Sequence, residues 1–133
     1  MAWILIVDDE SSYRSVLRKI LESRGHRVLE AMDGTEALEM FNESRPDVVI
    51  TDMLMAGVSG EEVIKALRQT KEPVGIIAVS GDSAFYDVDS MEMARRLGAD
   101  AILRKLDPMQ RILVEVDRVL SKPAYAGASV SAR

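Results

Sequence analysis

The chain has 133 residues, one domain's worth, and its 47% apolar and 29% charged content is that of a globular protein able to bury a core. A net charge of −5 weighs against general binding to nucleic acid or an anionic membrane. The absence of cysteine and the single histidine, His26, exclude disulfides, thiolate metal sites and clusters of His ligands. No apolar run approaches a membrane span, and the N-terminus lacks the basic start and cleavage region of a signal peptide, so the expected location is the cytoplasm.

Residues 3–7, WILIV, are uninterruptedly apolar and predict a strand buried on both faces, as parallel strands are. Tyr13, Val16, Leu17, Ile20 and Leu21 then recur at helical spacing, with Gly25 placed to end that helix. HRVLEA, 26–31, alternates like a half-exposed edge strand and leaves His26 in solvent. Asp33 suits the N-cap of a helix with Ala37, Leu38 and Phe41 on one face. DVVIT, 47–51, is a second apolar strand, and Ser59 with Glu62 forms a capping box ahead of Val63, Ile64 and Leu67. VGIIAV, 74–79, is a third. From Gly81 to about Ser90 the sequence reads as a polar loop with Asp82, Asp87 and Asp89 solvated, followed by a helix closed at Gly98. AIL, 101–103, is a short fifth strand. Asp107 as N-cap and Pro108 at the first helical position open a last helix, with Met109, Ile112, Leu113, Val116 and Leu120 inward. The eight methionines read as core filler. Residues 123–133 show no periodicity and read as a disordered tail, which leaves 1–122 as the folded domain.

Five strand–helix units predict a doubly wound α/β fold, a parallel sheet with helices on both faces. Parallel strands put all their carboxyl ends on one edge, where such folds bind ligands. Asp8 and Asp9 follow the first strand, Asp52 the third, Ser80 and Gly81 the fourth, Arg104 and Lys105 the fifth. Taken singly, Asp8 and Asp9 also match the preference of helix N-termini for acids, and Asp52 a turn residue. Together they are three carboxylates on one edge, which need a cation. An all-oxygen ligand set favours Mg²⁺ or Mn²⁺. Lys105 adds the compact positive charge that a phosphate needs and Ser80 a hydrogen-bond donor. Asp52 is itself a possible phosphoryl acceptor, since carboxylate nucleophiles form aspartyl phosphates.

These residues, in this order and on these strand ends, resemble the receiver domain of bacterial two-component response regulators over about Ala2 to Leu120. The resemblance implies a flavodoxin-like five-stranded sheet of order 2-1-3-4-5 with five helices on two faces. It implies Asp52 as phosphoacceptor, with Met55 and Gly60 at the family's offsets after it. Ser80 matches the phosphoryl-contacting hydroxyl residue and Lys105 the family lysine. Asp9 and Asp52 would ligate Mg²⁺ directly with the backbone carbonyl of Leu54, Asp8 would act through water, and the N–H groups of Met53 and Gly81 would face the phosphoryl oxygens. The implied donor is a sensor histidine kinase or a histidine phosphotransfer protein, and phosphorylation changes the binding of a downstream protein. No direct contact with nucleic acid or membrane is implied, nor any catalysis beyond the domain's own phosphorylation and dephosphorylation.

The chain departs from the family pattern at four places. Ala56 stands for the usual proline after Met55. Leu106 stands for the proline after Lys105; that family bond is commonly cis, whereas a non-proline cis bond costs ~3–4 kcal/mol, so trans is expected here. Ile102 stands for the aromatic switch residue. The segment between Ser80 and Lys105 is a few residues longer than usual, with the excess in GDSAFYDVDS. Ile102, a stiff β-branched side chain, suits a strand and one packing arrangement, which moves the expected switch toward Ser80 and residues 81–90, with Phe85 and Tyr86 either packed or facing a partner. Two other readings stand beside this one. One is a pseudo-receiver that binds partners without phosphorylation. The other is an aspartyl-phosphate phosphatase, against which Leu54 occupies the place of the second catalytic aspartate of haloacid-dehalogenase-type enzymes.

Overall fold

The structure, a computed structural model, describes residues 1–55, 57–81 and 84–122, with residues 84–90 described by backbone alone. In chain order the elements are β1 (Trp3–Val7), α1 (Ser11–Ser23), β2 (Arg27–Ala31), α2 (Gly34–Ser44), β3 (Val48–Asp52), α3 (Gly60–Gln69), β4 (Gly75–Ser80), α4 (Ala84–Leu97), β5 (Ala101–Arg104) and α5 (Met109–Leu120). The five strands form one parallel sheet in the order β2-β1-β3-β4-β5, as expected.

Side chains alternate across the pleat. Ile4, Ile6, Val48, Ile50, Ile77 and Val79 pack in the layer that holds Leu17 and Leu21 of α1 and Ile112, Val116 and Val119 of α5. Leu5, Val7, Val49, Ile76 and Ala78 pack in the opposite layer with Ala37 and Phe41 of α2, Val63, Ile64 and Leu67 of α3, and Ala94 of α4. Burial on both faces explains why β1, β3 and β4 read as unbroken apolar runs. The Asp33 carboxylate accepts the Glu36 N–H at 2.8 Å, and Ser59 Oγ accepts the Glu62 N–H at 3.3 Å, so two of the expected N-caps are present. Gly25 ends α1 at φ +85°, the left-handed region that glycine enters freely.

Several expectations are corrected. Strands β3, β4 and β5 run one residue further than the apolar pattern, to Asp52, Ser80 and Arg104, because the backbone pairing Asp52–Val79 and Ser80–Arg104 continues past the last apolar side chain. The segment read as a loop to Ser90 is helical from Ala84, where acids scattered among apolar residues hide the helical period and packing of α4 against α3, β4 and β5 decides. Asp82, like residues 123–133, lies outside the described residues, as do the side chains of Phe85, Tyr86, Asp87 and Asp89. Asp107 does not cap α5; its carboxylate accepts the Arg104 N–H at 2.9 Å, and Pro108 is the cap. Val16 is 45% exposed rather than core. Of the described methionines, Met53 is buried, while Met1, Met32 and Met93 are exposed. His26 is half-buried, its Nδ1 accepting the Ala2 N–H at 3.1 Å.

At the amino edge of the sheet, Arg68 of α3 donates to the Gly98 and Val74 carbonyls and to Asp100 Oδ2. Asp100 Oδ2 also accepts the Ile76 N–H at 2.8 Å, and Asp100 Oδ1 takes Lys122 Nζ at 3.0 Å. This brace joins α3, β4, β5 and the end of α5. At the carboxyl edge, Gly60 lets α3 start against the end of β3: a Cβ there would lie 2.2 Å from the Asp52 carbonyl oxygen and 2.7 Å from Met53 Cα. Both are backbone atoms and cannot swing aside. Gly60→Ala is therefore expected to lower stability by about 1–3 kcal/mol, the usual cost of overpacking, measured by urea unfolding. An unchanged midpoint would show that α3 gives way without cost.

Candidate functional site

Register assembles the site. Val7 of β1 stands beside Thr51 of β3, Asp52 beside Val79 of β4, and Ser80 beside Arg104 of β5. The residues at the carboxyl ends, Asp8, Asp52, Ser80 and Lys105, therefore lie across one edge. Asp8 is 1% and Asp52 4% exposed, Ser80 is buried, and Asp9 is exposed.

One ammonium serves several acids. Lys105 Nζ lies 2.8 Å from Asp8 Oδ2, 3.1 Å from Glu10 Oε1 and 3.4 Å from Asp52 Oδ2. The Lys105 N–H is donated to the Ser80 carbonyl at 2.9 Å, which fixes the lysine backbone, and the Lys105–Leu106 bond is trans, as expected. The Tyr13 ring lies beside the same ammonium, with 4.8 Å from Nζ to its centroid. The acids are held in turn. Asp8 Oδ1 accepts the Glu10 N–H at 2.8 Å, the Asp8 carbonyl accepts from Arg14 Nη1, and Asp52 Oδ1 accepts the Leu54 N–H at 3.2 Å.

Asp8, Asp9 and Asp52 each offer a carboxylate oxygen, and these oxygens lie within 4.8 Å of one another. Asp8 Oδ2 is buried without a hydrogen bond; the lysine beside it is close enough for an ion pair but not aligned as a donor. A buried anionic oxygen with unused lone pairs, in an all-oxygen set, fits a hard divalent cation. Ser80 Oγ is the other buried side-chain atom without a partner among the described residues. An unsatisfied buried hydroxyl is expensive and points to a missing acceptor.

One backbone donor is engaged otherwise than expected. The Met53 N–H is donated to the Val79 carbonyl at 3.0 Å, so it is spent within the sheet, and the backbone donor beside the Asp52 carboxylate is that of Leu54. Ile102 sits opposite Ala78, partly buried in the layer with α2, α3 and α4, away from the acids. Glu10 and Tyr13 were missed as site residues. Glu10 had a signal, its adjacency to the acidic pair. Tyr13 read only as part of a helix face, and its contact with a lysine 92 positions later is purely tertiary.

Electrostatics follows from the crowding. Burial first, then the Asp8 charge, pushes the Asp52 carboxyl up to about 6, against the pull of Lys105. Burial works against the Lys105 charge, but contact with Asp8, the Asp52 charge and Glu10 together hold its pKa above that of ordinary lysine. The Tyr13 hydroxyl is pushed up to about 12, by burial above all.

A family model described as Response regulator receiver domain matches residues 4–117. The chain is 34% identical to Response regulator MprA of Mycobacterium bovis, over 98% of this chain and 56% of that protein. It is 31% identical to Sporulation initiation phosphotransferase F of Bacillus subtilis, over 72% of this chain and 75% of the relative. The chain thus spans about half the length of the MprA relatives it matches. Among solved structures it superposes with a TM-score of 0.83 on a receiver domain protein from Clostridium thermocellum, 32% identical, covering 90% of this chain and 94% of that one. On chemotaxis protein CheY4 of Vibrio cholerae the TM-score is 0.81 at 30% identity, covering 90% and 99%.

Two outcomes are expected of the metal-free protein. With its folded pKa raised from 3.8 to about 6, Asp52 binds a proton more readily folded than unfolded. Its charge therefore destabilises the fold, by nothing below about pH 4 and by at most about 3 kcal/mol above pH 6. Asp52→Asn should raise stability at pH 8 and barely change it at pH 4; chemical melts giving equal effects at both pH values would refute this. Ser80→Ala removes an unpaired buried hydroxyl, so it should leave the melting midpoint unchanged or stabilise by up to about 1 kcal/mol. A clear loss of stability would mean that the hydroxyl is bonded.

Proposed function

Since the chain belongs to the response regulator receiver domain family, we propose that it works as a phosphorylation-switched signalling module in which Asp52 is the phosphoacceptor. The observation that carries this reading is the placement of Asp52: a buried carboxylate at a strand end, beside Asp8 and Asp9 and within reach of the Lys105 ammonium. On this reading residues 1–122 are the receiver domain. No helix among the described residues is long and apolar enough to cross a membrane, and the net charge of −5 disfavours nucleic acid. The module acts in the cytoplasm, taking its phosphoryl group from a sensor histidine kinase or histidine phosphotransfer protein and passing the signal to a downstream protein.

An Asp52 oxygen attacks phosphorus, the bond from phosphorus to the donor imidazole nitrogen breaks, and that nitrogen keeps the electron pair and takes a proton. The carboxylate becomes an acyl phosphate, and its later hydrolysis resets the module, both steps using the chain's own side chains. Asp8, Asp9 and Asp52, with the Leu54 carbonyl, would hold Mg²⁺ or Mn²⁺, which supplies positive charge to the phosphoryl oxygens. Lys105 surrenders part of its contact with the acids to a phosphoryl oxygen, and Ser80 Oγ, unpartnered in the described structure, gains an acceptor there. Movement of Ser80 passes along the backbone through Gly81 toward α4.

Incubation with acetyl phosphate and Mg²⁺ should add one phosphoryl group to the wild type and none to Asp52→Asn, and EDTA should abolish the reaction, read by intact-protein mass spectrometry. A wild-type chain that stays unmodified would favour a pseudo-receiver. Mg²⁺ at 100 times its dissociation constant should stabilise the fold by ~2.7 kcal/mol.

A further inference from the structure

Lys105 has four rotatable side-chain bonds, and the residue after it gives no anchor: Leu106 is 76% exposed. The direction of the ammonium must come from what surrounds it. Of its three oxygen neighbours, those on Asp8 and Asp52 belong to the carboxylate group that a cation or a phosphoryl group would also engage, and that on Glu10 belongs to a side chain 56% exposed. The Tyr13 ring, 4.8 Å from Nζ to centroid, is the neighbour that keeps its role when the acids change theirs. An aromatic face attracts an ammonium whatever lies on the other side.

The ring is well placed to aim. It sits in the first turn of α1, directly after the loop that carries Asp8 to Glu10. Arg14, the next residue, donates to the Asp8 carbonyl from its guanidinium and to the Glu10 carbonyl from its N–H, which ties that turn to the acid loop. The ring packs against the apolar layer under α1 and α5, which limits its swing. We propose that Tyr13 is a positioning residue, its ring face holding the Lys105 ammonium over Asp8 and Asp52 so that it meets the phosphoryl group; this rests on Asp52 being the phosphoacceptor.

The test compares the wild type, Tyr13→Leu and Tyr13→Phe with acetyl phosphate and Mg²⁺. Tyr13→Leu should lower the maximal phosphorylation rate about fivefold, the equivalent of roughly 1 kcal/mol, with little change in the half-saturating donor concentration or in Mg²⁺ affinity. Tyr13→Phe, which keeps the ring, should restore the rate. In the unphosphorylated protein the Lys105 ε-methylene protons should show a ring-current shift in NMR spectra that Tyr13→Leu loses and Tyr13→Phe keeps. A full rate in Tyr13→Leu, no rescue by Tyr13→Phe, an equal loss of Mg²⁺ affinity, or an absent ring-current shift would each overturn the proposal. A wild type that shows the shift but takes no phosphoryl group would instead overturn the phosphoacceptor reading and the role built on it, while leaving the ring–ammonium contact standing.

Discussion

Two buried carboxylates, Asp8 and Asp52, share one ammonium, that of Lys105, and the carboxyl edge of the sheet is organised around that inequality. Like charges brought out of water repel and are poorly solvated. A cation that reaches both offsets only part of this, which is why Asp52 remains a reluctant anion. The edge is stable because the rest of the domain is packed to hold it. Apolar strands fill both layers, Gly60 closes α3 onto the end of β3, and Arg14 clasps the carbonyl of Asp8. The opposite edge differs in kind. There Asp100 meets Arg68 and Lys122, and its carboxylate is matched by two cations and a backbone N–H.

The lysine is held in that arrangement from the backbone outward. Its amide is bonded to Ser80, so the lysine backbone is tied to β4, while Ser80 Oγ, on the same residue, lacks a partner among the described residues. Acid, hydroxyl and ammonium therefore lie on three neighbouring strand ends, and three residues, 81–83, separate β4 from the helix after it. In the layer behind, Ile102 faces Ala78 and packs with α2, α3 and α4, a position set by volume more than by charge.

Much of this was legible because it follows from local pattern. Unbroken apolar runs announce strands covered on both sides, Asp33 and Ser59 cap the helices that follow them, and the order of strand ends brings Asp8, Asp52, Ser80 and Lys105 to one edge. What escaped is what only tertiary packing decides. Tyr13 belongs to a helical stripe, and nothing in its neighbours says that it touches a lysine from the far end of the chain. Val16 shares that stripe and faces solvent, because α1 buries a narrower face than its apolar residues cover. The beginning of α4 was hidden by acids that interrupt its period, and the use of the Met53 N–H depended on β3 pairing one residue beyond its apolar core.

The brace at the amino edge has a consequence for geometry at larger scale. Helix α5 begins beside the acid edge and runs back along the sheet for 12 residues, a rise of about 18 Å. Lys122 then fastens its far end to Asp100, at the start of β5. Lys122, the last described residue, thus lies at the pole opposite the carboxylates, so a protein approaching Asp52 and one approaching the end of α5 address different hemispheres of the domain. Among the described residues, the sheet and the helices laid upon it span the distance between the two poles.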